Sequence, residues 1–235
     1  MYLFPSTKVI EFLQKQEGQF RIMTTDDRIL PPNFSSVYRL QSVDGYDPLY
    51  LRRYGELIAA SERGRPDISA PFGFNRIITP HNYNSKIIDL LGDKYVLSLS
   101  DLNSTKLTKV FQEGQTRVYE NKNVLPRVFF VQENYGFEDK QAAIRKMFEE
   151  GFAMRTMAVV EFSGLASLKR NVPIRHSIGK AEIVSYEENS ITIHTENEEY
   201  GLLVLTDSFY PSWRAKIDGQ STQIYRVDYT FRGVF

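Results

Sequence analysis

Two short clusters of side chains in this sequence have the chemistry of a ligand site. The first cluster contains Asp44, Tyr46 and Asp47, and it continues with Arg53 on a helix predicted to start near Pro48. Carboxylates, a guanidinium and aromatic rings at a helix N-terminus could bind a polar ligand such as a sugar or a phosphate. The favoured alternative is structural: an aspartate caps the helix, a glycine makes the turn and a tyrosine packs.

The second cluster surrounds Trp213, the single tryptophan of the chain, which follows a turn at Pro211. Its indole could stack on a sugar ring. A lone tryptophan after such a turn in a β-rich region is more often a core anchor, and the sequence favours that interpretation. The following Asp218-Gly219 pair predicts a two-residue hairpin turn.

Catalytic and metal-binding signatures are not found. His81, His176 and His194 have no ligand spacing, and the chain has no cysteine for zinc, iron–sulfur or thiol chemistry. There is no GxSxG, P-loop or GxGxxG motif. We therefore predict no catalytic residue, no metal and no cofactor. A soluble enzyme with a site around Asp44, Asp47 and Arg53 is kept as one hypothesis beside the two binding functions described below.

Charge and hydropathy limit the function classes further. The 235 residues carry 29 Lys+Arg and 29 Asp+Glu, for a formal net charge of zero. This balance makes nucleic acid an improbable partner, since phosphate neutralisation requires a basic face. No apolar run approaches the roughly 20 residues of a membrane helix.

Residue periodicity predicts a mixed fold. Helical spacing appears between an opening at Pro5-Ser6-Thr7 and a cap at Gly18, and again near residues 48–57, 85–91 and 141–150, with strand-like runs between these segments. From about residue 157 the chain shows only short strands separated by turn signals. We expect an α+β protein, with a mixed α/β part at 1–154 and an antiparallel β-sandwich-like part at 155–235.

Five stretches of the chain resemble, in order, the C-terminal extracytoplasmic region of bacterial YfhO-type membrane proteins. They are GYDPL with the Arg53-Tyr54 pair after it, LLGDKYVL (90–97), YENKNVLPRVF (119–129), LVLTDSFYPSWRAKIDG (203–219) and IYRVDYTFRGVF (224–235).

This resemblance implies a soluble domain of a polytopic, GT-C-like membrane protein outside the bacterial cytoplasm. Such a domain would be accessory to the transfer of lipid-linked sugars onto cell-envelope glycopolymers. Its partners would be the transmembrane region of the parent chain and a glycan or lipid-linked sugar. The family's catalytic acid lies in a membrane loop, so no catalytic residue is carried over. The alternative is a free-standing carbohydrate- or envelope-binding module.

The sequence departs from the family pattern in three places. Ser212 stands where glycine is usual, and Asp228 stands where asparagine is usual. The family pattern also continues beyond the last residue, Phe235. We therefore expect a β-sandwich-like part that lacks its last strand or strands.

Overall fold

The computed structural model describes residues 4–73, 77–162 and 179–235, which belong to two compact units. Unit 1 ends at Pro126, and unit 2 runs from Arg127 to Phe235. Each unit has its own main sheet and its own apolar cluster. The predicted α+β class is confirmed.

Unit 1 is built on a five-stranded sheet. Its strands are β1 (Arg21–Thr24), β2 (Gln41–Ser42), β5 (Asp93–Ser98), β6 (Leu107–Glu113) and β7 (Thr116–Asn121). The strand order is β2-β1-β5-β7-β6, with β1 parallel to both β2 and β5 and the remaining pairs antiparallel. A short antiparallel pair, β3 (Gly45–Tyr46) and β4 (Ile77–Ile78), lies outside this sheet.

Polar side chains start two of the unit 1 helices as the sequence indicates. Thr7 Oγ1 accepts a hydrogen bond from the Ile10 amide at the start of α1 (Lys8–Gln14). Ser85 Oγ accepts one from Ile87 at the start of α3 (Lys86–Leu90). Each bond satisfies an amide that has no partner within the first turn of the helix.

The longest helix of unit 1, α2 (Arg52–Arg63), begins four residues later than predicted. Asp47 Oδ1 accepts a hydrogen bond from the Leu49 amide at 2.7 Å, which makes a turn just after Asp47. An aspartate bonded to the backbone two residues ahead offers the chain an alternative to the helix. Pro48 therefore belongs to that turn. A 3₁₀ helix, Phe34–Tyr38, was not predicted.

The apolar stripe of α1 covers one face of the unit 1 sheet. Val9, Ile10 and Leu13 are buried in one cluster with Ile22 of β1 and Leu97 of β5. Because successive side chains of a strand alternate between faces, the strand residues in this cluster are those whose side chains point to the face covered by α1.

Unit 2 is built on a six-stranded curled sheet. Its strands are β8 (Val128–Val131), β9 (Glu133–Phe137), β10 (Met157–Glu161), β13 (Leu202–Ser208), β16 (Tyr225–Val227) and β17 (Phe231–Val234). The order is β8-β13-β17-β16-β10-β9. The β9–β10 pair is parallel and joined through α4 (Lys140–Phe148), which contacts both strands, and the other pairs are antiparallel.

Two hairpins complete unit 2. The first, β11 (Lys180–Tyr186) with β12 (Ile191–Glu196), packs Ile191 and Ile193 against the cluster that contains Phe130, Leu203 and Leu205. The second consists of β14 (Ala215–Ile217) and β15 (Gln220–Thr222).

The predicted Asp218-Gly219 turn joins β14 to β15. Both residues have positive φ, 50° for Asp218 and 82° for Gly219. A two-residue turn with this geometry matches the twist of the paired strands. The turn prediction is therefore confirmed, and the strand that follows the turn is β15.

The division of the chain differs from the sequence-based boundary at 154/155. The structure places residues 127–154 in unit 2, because β8 pairs with β13 and β9 pairs with β10. The residues described in 155–162 and 179–235 form strands and no helix, as the sequence indicates. Among the described residues, no helix combines the length and apolar character needed to cross a bilayer.

A buried carboxyl group holds the turn between β16 and β17. Asp228, with φ of 44°, is fully buried, and its Oδ1 accepts a hydrogen bond from the Val159 amide at 3.0 Å. Its own amide donates to the Val159 carbonyl at 2.8 Å, while Oδ2 has no hydrogen-bond partner in the part of the chain that the structure describes. Burial raises the pKa of Asp228 to about 7.

Replacing Asp228 by asparagine should change how stability depends on pH. The folded-state pKa is above the ordinary value of 3.8, so the folded protein keeps a proton that the unfolded chain releases. The resulting stability is complete below about pH 4 and is lost as the pH rises to about 7. We expect Asp228→Asn to gain up to about 4 kcal/mol over the wild type across this range.

Urea denaturation of both proteins from pH 4 to 8 measures this difference. Asp218→Asn is the matched control, since Asp218 is an exposed aspartate that also has positive φ. The difference in free energy of unfolding between Asp218→Asn and the wild type should not grow in the same way between pH 4 and pH 7. Parallel pH profiles for Asp228→Asn and the wild type would show that the buried group is not responsible.

Candidate functional site

A cavity of about 710 Å³ lies within unit 2. Residues from β12, β13, β14 and β17 line it, together with the turn before β14. Ile193, Leu203 and Val234 contribute apolar surface, while Asn189 and Thr195 contribute polar groups. An apolar pocket with a few polar groups is the usual form of a small-molecule site.

Trp213 lines this cavity and is only half-buried. The core-anchor prediction for this residue is therefore wrong. The Arg232 guanidinium carbon lies 4.3 Å from the centre of the indole, in the range of a cation–π interaction. Trp213 thus packs on a charged side chain and is not a member of the apolar cluster around Phe130.

Arg232 belongs to a buried ion cluster with Arg127 and Asp207. The Arg127 Nη2 group donates to Asp207 Oδ1, and the Arg232 Nη2 group donates to Oδ2 at 2.9 Å. The Tyr186 hydroxyl donates to the same Oδ2 at 3.0 Å. The Arg127 Nε group donates to Thr206 Oγ1 at 3.2 Å. These bonds satisfy groups that would be costly to bury alone.

Secondary structure brings these residues together from distant parts of the sequence. Arg127 immediately precedes β8, Asp207 lies near the end of β13, and Arg232 lies in β17. Since β13 lies between β8 and β17 in the sheet, Asp207 is central and meets an arginine from each side. Burial lowers the pKa of Arg232 from its ordinary value.

The opening of the cavity carries further cationic side chains. Arg214 and Lys216 are exposed and line it, together with one exposed carboxylate, Asp218. The Arg214 Nη1 group also donates to the Pro211 and Trp213 carbonyls, which fixes the turn.

A second aromatic surface faces the same cavity. Tyr200 and Phe235 both line it and stack on one another, with ring centres 5.7 Å apart and planes inclined by 7°. Tyr200 is 55% exposed. Among the described residues, the aromatic groups that line the cavity are therefore Trp213, this stacked pair and Phe130.

The first sequence-predicted cluster lies in unit 1, and its members have local structural partners. Tyr46 is exposed, and its backbone exchanges two hydrogen bonds with the Asn33 side chain. Asp47 makes the turn before α2. Arg53 is half-buried in the first turn of α2. Asp44 does not cap that helix, since its carboxyl group contacts Ser42.

Asp44 is nevertheless electrostatically unusual. Burial raises its pKa to about 6, with opposition from the Ser42 hydrogen bond and a small further increase from Asp27. Ser42 Oγ lies 2.7 Å from Asp44 Oδ1 and 3.1 Å from the Ile22 carbonyl, but a hydroxyl has only one proton to donate. Ser42 therefore donates to one of these two oxygens at a time.

The sequence-based search missed Arg127, Asp207 and Arg232, although all three lie inside motifs quoted for the resemblance. A signal for them exists in the sequence. Each is a charged residue placed at the end of, or within, a run of residues that is otherwise strand-like and apolar. A charge in such a position is rarely buried without a partner.

The arrangement in unit 2 has the chemistry of a binding site. It combines aromatic faces, hydroxyl and amide groups and a buried guanidinium. Such groups recognise ligands by stacking and hydrogen bonding, without covalent bonds. Within the part of the chain that the structure describes, no group of three or more His, Asp and Glu side chains could hold a metal ion.

The half-buried position of Trp213 makes a prediction about stability. Trp213→Ala should lower the free energy of unfolding by about 1–2 kcal/mol, since part of the indole is already in water. Phe231→Ala is the control, because Phe231 is fully buried and its truncation should cost about 3–5 kcal/mol. Chemical denaturation measures the free energy of unfolding of both variants. Equal losses of stability would show that Trp213 acts as a core anchor.

Comparison of the chain with protein-family models, with curated proteins and with solved structures finds no match. Function must therefore be inferred from the cavity, from the side chains that line it and from the sequence resemblance.

Proposed function

We propose that unit 2 binds a carbohydrate in its cavity without catalysing a reaction. In this proposal the chain is the extracytoplasmic accessory domain of a YfhO-like membrane protein. It would hold a glycan while the membrane part transfers a lipid-linked sugar to a cell-envelope glycopolymer. The observation that carries the proposal is the half-exposed Trp213 on the wall of a ligand-sized cavity.

The size of the cavity supports a small ligand or one segment of a polymer. Its volume of about 710 Å³ lies in the range of roughly 300–1,000 Å³ that is common for small-molecule sites. Strands of the main sheet and of both hairpins supply much of the lining, so much of the site rests on regular secondary structure.

The lining matches the two kinds of surface that a sugar ring presents. Trp213 and Tyr200 offer flat apolar surfaces with a polar edge, suited to the C–H faces of a pyranose. Asn189, Ser190 and Thr195 supply amide and hydroxyl groups for the sugar hydroxyls. The cavity therefore offers stacking and hydrogen bonding together.

The second candidate is a free-standing carbohydrate- or envelope-binding module with no membrane parent. The same cavity supports it, so binding alone does not separate the two. They differ in the protein that carries this region.

Direct binding measurements test the carbohydrate proposal. Titration of a panel of mono- and disaccharides, followed by amide NMR shifts, should displace resonances of residues that line the cavity. Trp213→Ala should weaken the binding of the best sugar by about tenfold, because it removes a stacking surface. The matched control is Tyr210→Ala, since Tyr210 is an exposed aromatic residue close in sequence that does not line the cavity.

Equal losses in Trp213→Ala and Tyr210→Ala would contradict this site. The absence of binding by every neutral and charged sugar would overturn the proposed function.

Fractionation of the native product separates the two candidates. An antibody against this region should detect a band much larger than 27.2 kDa in the membrane fraction. External protease should reach its epitope in intact cells whose outer layers have been removed. A band near the mass of this chain in the aqueous fraction would favour the free-standing module.

A further inference from the structure

We propose that the unit 2 cavity is an anion-binding site, in which Arg232 holds a phosphate or carboxylate group of the bound ligand. The anion site follows from the charges in unit 2. The statement that the anion belongs to a sugar rests on the proposed function.

The ion cluster beside the cavity has more positive than negative charge. Among the described residues, Arg127 and Arg232 share one carboxylate, Asp207, and the fourth member, Tyr186, contributes only a hydroxyl. Arginine stays ionised in proteins, so two guanidiniums and one carboxylate leave one net positive charge. A net charge held out of bulk water attracts an anion strongly.

Arg232 is the member of the cluster that reaches the cavity. It lines the cavity, whereas Arg127 and Asp207 are not among the lining residues. Its side chain is only 9% exposed, so water screens the charge of its guanidinium little. In such a setting a hydrogen bond between a guanidinium and an anion is stronger than in bulk water.

Trp213 fixes the orientation of this guanidinium. The indole lies against Arg232 at 4.3 Å, and Asp207 holds the Nη2 group at 2.9 Å. A guanidinium held in this way loses little conformational freedom when an anion binds. The position of Trp213 outside the apolar core thus has a consequence for recognition.

The exposed side chains around the cavity act in the same direction. Arg214 and Lys216 line the cavity together with one exposed carboxylate, Asp218. Among the described lining residues, these three exposed side chains therefore also have an excess of one positive charge. Charges of one sign around a cleft raise the local concentration of the opposite ion.

Fluorescence of the single tryptophan reports on this site directly. The full chain is titrated with inorganic phosphate, glucose 6-phosphate, glucuronate and glucose, each at low and high sodium chloride. We expect glucose 6-phosphate or glucuronate to bind at least tenfold more tightly than glucose. Added salt should reduce this preference, since it screens charge. The phosphate ester and the carboxylate separate the two possible kinds of anion.

Two variants and one control test which side chains attract the anion. Arg232→Gln should remove the preference for the charged sugars, while the Arg127–Asp207 pair that remains is balanced in charge. Lys216→Gln, an exposed change that leaves the core intact, should weaken anion binding two- to threefold. Lys180→Gln is the control, since Lys180 is exposed in the same unit but does not line the cavity.

The outcomes distinguish this inference from the proposed function. Equal affinity for glucose and the charged sugars, with Trp213 still needed for binding, would overturn the anion site and leave carbohydrate recognition standing. Binding of inorganic phosphate that depends on Arg232, with no binding of any sugar, would support the anion site and overturn the carbohydrate proposal. An unchanged preference in Arg232→Gln would also overturn the inference.

Discussion

Unit 2 depends on one buried carboxylate, Asp207, which two guanidiniums and a hydroxyl share. The bonds join the start of β8, the end of β13 and β17, and they reach β11 through Tyr186. Removing the carboxylate would take the described counter-ion away from two buried cations, which is far more costly than losing an exposed pair. The cluster therefore fixes the strands and the charged wall of the cavity together.

Unit 1 shows the same desolvation acting on acids that lack a close cationic partner. Asp93 is fully buried, neither of its carboxyl oxygens has a hydrogen bond to a described residue, and burial raises its pKa well above the ordinary value. Lys106 bonds Asp89 instead, and Asp44 also has a raised pKa. A carboxyl group can avoid the cost of burial by keeping its proton, an option that arginine does not have.

Much of the local structure could be predicted from the sequence because it depends on neighbouring residues. Thr7 and Ser85 begin helices, and Asp218-Gly219 turns a hairpin, as their side chains and backbone preferences require. The start of α2 was misplaced because Asp47 bonds the Leu49 amide and competes with the helix. The domain boundary was misplaced because strand alternation gives the face of a residue and not its pairing partner.

The sequence by itself determined the α+β class, the positions of most helices and strands, and the turns, since these follow from periodicity and local hydrogen bonds. Only the tertiary structure decided that Trp213 packs on Arg232 and that Arg127 meets Asp207, a residue 80 positions away. Such contacts depend on the order of strands in the sheet, which long-range packing sets. The candidate site consists mainly of contacts of this kind, and for that reason it appeared only in the folded chain.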